Sequence, residues 1–329
     1  MSNISFAIPK GSLEKSTLKF LKEAGYKITG AERSYRPKTN DKDINIKILR
    51  PQEIPLLIAE GYHDIGITGI DWLNETNANV ELLQKLEYGT VKIILAVPKS
   101  LTSVNSIDDL LEINKNKKVR IATEYLNLTS KYLLSNKTYQ ALYGSDDPMM
   151  ITPWWSKGKN KNVCLYLSFG ATEAKPPEEA EAIIDNTETG TTLDINNLKI
   201  IDKILVSNAV LIANKSALKN NKKREKILDV CALLKGVVEA RTKIHIFLNI
   251  KEENLKKLLS ELPSLKAPTI SPLSEKGWFS INTVIAQDHF IQILPVLRKL
   301  SQGVVVYQPR QVMSLEKLNN DENDNKKDN

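Results

Sequence analysis

Short apolar runs alternate with amphipathic stretches over the first hundred residues. Ile4-Ser5-Phe6-Ala7-Ile8 reads as a buried strand. Beyond Pro9-Lys10-Gly11-Ser12, the apolar positions Leu13, Leu18, Leu21 and Ala24 fall near one helical face until Gly25 closes it. Ile44 to Leu49 alternates as a second strand, and Arg50-Pro51-Gln52-Glu53-Ile54-Pro55 opens a helix that stops at Gly61. Asp64 to Gly69 is a strand with glycines where a neighbour approaches the backbone closely. Val91 to Val97 is a continuous apolar strand expected to close this first unit. The rhythm predicts an α/β fold with largely parallel sheets.

From Ser106-Ile107-Asp108-Asp109-Leu110 the alternation restarts, with strands at Val119 to Ala122 and near Val163 to Leu167 and a helix through Tyr132. Between them Tyr143 to Asn162, rich in Gly, Ser, Asp, Pro and Lys, breaks the pattern like an insertion and carries Trp154-Trp155. A strand-rich irregular excursion or surface flap is expected there, and the paired tryptophans leave an interface open. Ile200 to Ala213 reads as two strand-like pieces and Lys222 to Ala240 as a long helix. The remaining order, strand from Ile244, helix from Glu252, strands at Thr269 and Trp278, helix from Phe290 and strand at Val304, is the ferredoxin-like βαββαβ arrangement.

One stretch draws chemistry. In Glu181 to Leu193, the apolar Ala182-Ile183-Ile184 leads to Asp185 at the strand's expected end, then to Thr187, Glu188, Thr189, Gly190, Thr191 and Thr192. Hydroxyl donors around one glycine suit a phosphate, because backbone N–H groups can come close and no cation is needed. A Thr-rich turn capping a helix is the other reading of the same residues.

Composition narrows the class. The 329 residues are 41% hydrophobic, long enough for two or three domains with cores, and no run approaches the ~20 apolar residues of a membrane span. Without a secretory signal pattern the protein is expected to be cytoplasmic. The net charge of +7 suits anionic ligands, but no basic stripe is interleaved with aromatics, so no nucleic-acid or membrane partner is expected. Cys164 and Cys231 lack metal or redox spacing, and His63, His245 and His289 are scattered without ligand spacing. Residues 314–329 are polar and expected to be a disordered tail.

Three further positions qualify singly. Lys10 follows a strand beside Gly11 and can meet an anion, or is a surface lysine at a helix start. Arg50 can hold a phosphate with its fork, or pair with Glu53. Asp71 is a helix N-cap, or a carboxylate at the carboxyl edge of a sheet, where α/β folds bind ligands.

Taken in order, Ile8-Pro9-Lys10-Gly11, Leu49 to Pro55, Asp64 to Asp71, Ala122-Thr123-Glu124-Tyr125, Gly170-Ala171-Thr172-Glu173 and Asp185 to Leu193 resemble the signature segments of the ATP phosphoribosyltransferases. Asn208 to Asn214 and the final βαββαβ unit extend the resemblance to about Met313. It implies a two-lobed, periplasmic-binding-protein-like α/β core with an ACT-like C-terminal domain, as in the family's long form. Residues 1–100 and 205–240 would form one catalytic lobe, 101–204 the second, and 241–313 a histidine-sensing domain. The implied reaction joins ATP to phosphoribosyl pyrophosphate with Mg²⁺ assistance and releases pyrophosphate.

The resemblance also implies roles. Asp185 would accept from ribose hydroxyls, and Thr187, Thr189, Gly190, Thr191 and Thr192 would hold the 5-phosphate. Lys10, Gly11 and Arg50 would face the pyrophosphate and ATP phosphates. Asp71 and Glu124 would orient sugar, adenine or metal, with Glu173 elsewhere in the cleft and the Mg²⁺ ligands unassigned. Glu188 is expected to point away from the anion. Leu265 and Thr269 would contact histidine as effector, and a homo-oligomer, dimer or hexamer, is expected. A noncatalytic bilobed binding protein or a regulatory subunit is the alternative. Ser12, where many relatives carry arginine, and Asn249-Ile250-Lys251, without an aspartate some relatives place there, depart from the family pattern.

Overall fold

The computed structural model describes residues 3–262 and 267–313. The chain divides into two compact units, one of Ser5–Ser16 and Ile46–Lys219, the other of residues 3–4, Thr17–Asn45 and the described residues from Asn220 onward.

The first unit is organised by two mixed sheets. In the five-stranded sheet the order is Ile44–Leu49, Ile4–Pro9, Ile65–Gly69, Ala209–Ala213, Glu81–Lys85. Phe6 and Ala7 pair in parallel with Ile65 and Gly66, and Ala209–Ala213 runs antiparallel to both its neighbours. Gly66 shows why this strand carries glycine. A Cβ there would lie 2.6 Å from Ile54 Cγ2, so the helix Ile54–Ala59 could not pack so closely.

The seven-stranded sheet has a parallel centre of Pro148–Ile151, Asn160–Leu167, Val119–Thr123 and Ala182–Thr187. Val91–Pro98 follows antiparallel beside Ala182–Thr187, and Leu198–Ser207 pairs antiparallel with it. Val91–Pro98 therefore belongs to this second sheet, a correction to its expected place beside the strands of residues 4–69. Its sequence could not decide the matter. Ile93, Leu95 and Val97 pack into one core and Ile94 and Ala96 into another, so the run is apolar throughout whichever sheet receives it. Each fully buried Ile or Leu contributes roughly 1.5–3 kcal/mol. The sheets are mixed rather than largely parallel, because Val91–Pro98 runs against both its neighbours in the seven-stranded sheet and Ala209–Ala213 against both of its own in the five-stranded one.

The segment 143–162 is strand-rich, as expected. It is built into the sheet as its edge, with Ser156–Lys157 turning back antiparallel on Pro148–Ile151. Trp154 and Trp155 stand at that turn, 74% and 49% exposed, and Trp154 meets the Phe169 ring edge-on at 5.8 Å.

In the second unit, four antiparallel strands lie in the order Thr269–Pro272, Trp278–Ala286, Lys243–Lys251, Ser301–Tyr307. The helices Glu252–Glu261 and Gln287–Leu300 complete the βαββαβ order, and their apolar faces meet Ile246, Leu248, Ile281 and Ile285 in one core. The helix Asn221–Ala240, expected with the first lobe, groups with Thr17–Asn45 in this unit. Lys226 pairs with Asp41 at 2.7 Å, and the Arg241 guanidinium lies 5.2 Å from the Phe20 ring centre.

Candidate active site

Three adjacent parallel strands of the seven-stranded sheet end in acidic or hydroxyl-bearing segments. Glu124 follows Val119–Thr123, Ser168 to Glu173 follows Asn160–Leu167, and Asp185 to Thr192 runs through and beyond Ala182–Thr187. Asp185 lies inside its strand, not at its end, because Asn186 and Thr187 still pair with Ile93 and Lys92. Burial pushes the Asp185 carboxyl up to about 6, and the charges of Glu124 and Glu173 push the same way. The Asn186 N–H donates to its Oδ1 at 2.7 Å and, with the Thr172 hydroxyl, draws it back. Burial likewise raises the Glu124 carboxyl, opposed by hydrogen bonds from the Gln52 side-chain amide and the Gly170 N–H. Glu124, Glu173 and Asp185 thus form one electrostatic set.

The threonine loop satisfies much of itself. The Gly190 N–H donates to Thr187 Oγ1 at 2.9 Å, and the Thr189 and Thr191 hydroxyls meet at 2.9 Å. Gly190, at φ +83°, precedes the five-residue helix Thr191–Ile195. The segment is therefore a Thr-rich turn opening a helix, with Thr189, Thr191 and Thr192 exposed. A cavity of about 480 Å³ lies against Thr189, Gly190 and Thr191, and Lys99 and Lys199 line it too.

Lys10 closes the strand Ile4–Pro9, and its N–H donates to the Leu49 carbonyl at 2.7 Å. Gly11 follows at φ +85°, and a Cβ there would stand 3.9 Å from Arg50 Nη1. Lys10, Gly11 and Arg50 are accordingly neighbours at the end of the five-stranded sheet. Gly69, not Asp71, caps the helix Ile70–Thr76, so the N-cap reading of Asp71 is corrected. Asp71 is only 4% exposed. It accepts from the Tyr125 hydroxyl at 2.9 Å and from Ser207 Oγ at 2.6 Å. A Cβ on Gly69 would fall 2.0 Å from Asp71 Oδ1, so the glycine makes room for the carboxylate.

Tyr125 lies in the segment Ala122-Thr123-Glu124-Tyr125 but is given no role there. Its ring stacks on Trp72 at 4.6 Å, its hydroxyl accepts from Asn186 Nδ2 at 3.1 Å, and burial, then Asp71, pushes the phenol up. Nearby, Glu75 accepts from the Asn127 and Leu128 N–H groups at 3.0 and 2.8 Å. It thereby caps the helix Leu126–Ser135 from another element. A cavity of about 400 Å³ is lined by Ser12, Asp71, Trp72, Tyr125, Asn186 and Ser207, with Glu188 also on its wall beside Asn186. Gln52, Glu75, Tyr125, Asn186 and Ser207 join the predicted residues.

In the C-terminal sheet Thr269 is exposed and lies opposite Asn282, while Leu265 is outside the described residues. Among the described residues no helix is long and apolar enough to cross a membrane, and no three acidic, histidine or cysteine side chains converge to hold a metal.

The sequence matches the profile of HisG, ATP phosphoribosyltransferase, over residues 50–236, and that of the HisG C-terminal domain over 240–309. The ATP phosphoribosyltransferase of Thermodesulfovibrio yellowstonii is 37% identical over 92% of this chain and 96% of its own length. That of Solibacter usitatus is 36% identical over 92% and 97%. The chain belongs to the ATP phosphoribosyltransferase family. As a family member of the long form it is a pentosyltransferase of the first step of histidine biosynthesis. Its substrates are ATP and 5-phosphoribosyl 1-pyrophosphate, its products 1-(5-phosphoribosyl)-ATP and pyrophosphate. The ATP phosphoribosyl transferase complex from Thermotoga maritima matches 72% of this chain and 98% of its own, at 27% identity and a TM-score of 0.54. The α/β core with its extra C-terminal sheet is the fold class of the ATP phosphoribosyltransferases.

Proposed function

We propose that the transfer runs at the carboxyl ends of the two sheets of the first unit, with the phosphoribosyl group bound along Asp185 to Thr192. The observation that supports this reading best is the meeting of Glu124, Glu173 and Asp185 beside the threonine loop at three adjacent strand ends. Asp185 accepts from the ribose hydroxyls, and Thr187, Thr189, Gly190, Thr191 and Thr192 hold the 5-phosphate. Lys10 and Arg50, with the Gly11 backbone, counter the charge of the pyrophosphate and the ATP phosphates. Asp71 acts through Tyr125, holding Asn186 and with it the strand that presents Asp185.

Displacement at the anomeric carbon develops positive charge on the sugar, so positioning and fixed charges supply most of the rate. Mg²⁺ suits this donor set as an ion carried by the substrate. Among the described residues no protein ligands converge on it, and it commonly keeps its waters while binding substrate phosphates and one or two carboxylates. Glu173 is the carboxylate that would reach it, and the ion would neutralise the leaving pyrophosphate.

The C-terminal βαββαβ domain takes histidine as effector, with Thr269 among its contacts. The protein works as a cytoplasmic homo-oligomer. Pyrophosphate release measured with ATP, phosphoribosyl pyrophosphate and Mg²⁺, with and without histidine, tests both halves. Product that falls at least tenfold as histidine is raised is expected. Full activity at saturating histidine rejects the effector, and folded protein that releases no pyrophosphate rejects the catalytic reading.

A further inference from the structure

The helix Leu126–Ser135 begins without a cap of its own. Its N-cap position is Tyr125, whose side chain is engaged by Asp71, Trp72 and Asn186 and offers the helix no acceptor. The first N–H groups of a helix have no partner within it, and leaving them buried and unmet is costly. Glu75, 8% exposed, meets two of them from the helix Ile70–Thr76, Oε1 taking the Asn127 N–H and Oε2 that of Leu128. Asn127 Nδ2 donates back to the Glu75 carbonyl at 3.0 Å. Burial pushes the Glu75 carboxyl up, and the same two N–H groups draw it back. Elsewhere the chain caps locally, as Ser106 does for Ile107–Ile113 by accepting from the Asp109 N–H at 3.1 Å. A cap brought from another helix ties two elements together, and a local one does not.

The elements tied here belong to different sheets. Ile70–Thr76 follows a strand of the five-stranded sheet, and Leu126–Ser135 follows a strand of the seven-stranded one. Asp71, Trp72 and Glu75 along the first helix meet Tyr125, Asn127 and Leu128 at the start of the second. The cavity of about 400 Å³ touches both sides, with Gly69 and Asp71 on one and Tyr125 and Asn186 on the other. We propose that Glu75 is a positioning residue of the transfer, which by capping Leu126–Ser135 from Ile70–Thr76 fixes the spacing between the groups that the two sheets present to phosphoribosyl pyrophosphate. The inference rests on the placement of that substrate given above. Its 5-phosphate lies on the threonine loop of the seven-stranded sheet, and its pyrophosphate faces Lys10 and Arg50 beside the five-stranded one. A ligand that spans two sites gains affinity only while their spacing matches its own length. Fragments that touch one site are indifferent to that spacing. Loss of the cap therefore weakens the whole substrate, spares its two halves, and misplaces the anomeric carbon before adenine attacks it.

The experiment measures, on the full chain with Mg²⁺, dissociation constants for phosphoribosyl pyrophosphate, ribose 5-phosphate and pyrophosphate, and kcat with ATP. Glu75→Gln keeps the shape and one of the two acceptors. It is expected to raise the constant for phosphoribosyl pyrophosphate at least tenfold, to leave those for the two fragments within threefold, and to lower kcat ~10-fold. Glu75→Ala removes both acceptors and should lower kcat ~10²-fold, and Glu75→Gln decides the matter should Glu75→Ala fail to fold. Ser106→Ala removes a local cap and serves as the control, lowering the melting temperature with all three constants and kcat within threefold of wild type. The proposal is overturned if Glu75→Gln binds phosphoribosyl pyrophosphate within threefold of wild type, if either fragment weakens as much as the whole substrate, or if Ser106→Ala reproduces the effect. Wild-type protein that binds phosphoribosyl pyrophosphate and releases no pyrophosphate on adding ATP would instead overturn the catalytic reading.

Discussion

Asp185→Asn is expected to be nearly inactive and more stable than the wild type. Burial first, and then the neighbouring charges of Glu124 and Glu173, raise this carboxyl from its ordinary 3.8 to about 6. The ionised form therefore costs the fold up to ~3 kcal/mol at neutral pH. The folded-state value is the higher one, so the stability is fully present below pH 3.8 and is lost as the pH rises through about 6. Asparagine carries no charge and escapes that loss. Thermal unfolding of Asp185→Asn at pH 7.5 should lie above the wild type, and the gap should close by pH 4. Catalysis moves the other way. Asparagine retains one acceptor and loses the charge that faces the ribose, and kcat/KM for phosphoribosyl pyrophosphate should fall by ~10³. A stability gain paired with an activity loss marks a group kept for function. A variant that is both active and unchanged in melting would remove Asp185 from the site.

Asp71→Ala carries the second large effect, and here stability and activity fall together. Its carboxylate is buried with the Tyr125 and Ser207 hydroxyls on its two oxygens. Removing it strands both hydroxyls and costs ~2–4 kcal/mol. Tyr125 then loses the anchor that lets it hold Asn186, and the strand carrying Asp185 loosens. A melting temperature lowered by several degrees and a KM for phosphoribosyl pyrophosphate raised at least tenfold are expected. The more conservative Tyr125→Phe should reproduce the KM change with about half the stability loss. Normal KM in either variant would confine Asp71 to a structural role.

The elements whose partners are close in sequence were legible from pattern alone. The helix ended by Gly25, the βαββαβ order after Ala240 and the strand-rich segment before Asn162 all follow from local periodicity and turn residues. Sheet membership was not legible. Val91–Pro98 is apolar on both faces, and nothing in such a run says which sheet will receive it. Asp185 looked like a strand end because its neighbours are polar, yet the strand continues, since Asn186 and Thr187 sit in register with Ile93 and Lys92.

At the site, the residue types were readable and their pairings were not. Asp71 is 54 positions from Tyr125 in the chain and 136 from Ser207. Such pairs exist only once two sheets have brought their strand ends together. Tyr125 lies within the family-like segment Ala122 to Tyr125, but a phenol beside a carboxylate carries no signal until its partner is placed.

The central claim is that the phosphoribosyl group lies along Asp185 to Thr192, and amide hydrogen exchange of the intact chain tests it most directly. Adding phosphoribosyl pyrophosphate with Mg²⁺ should slow exchange across residues 185–194, beyond any change in the sheet residues behind them. Undiminished exchange there, with protection appearing elsewhere while pyrophosphate is still released on adding ATP, would contradict it.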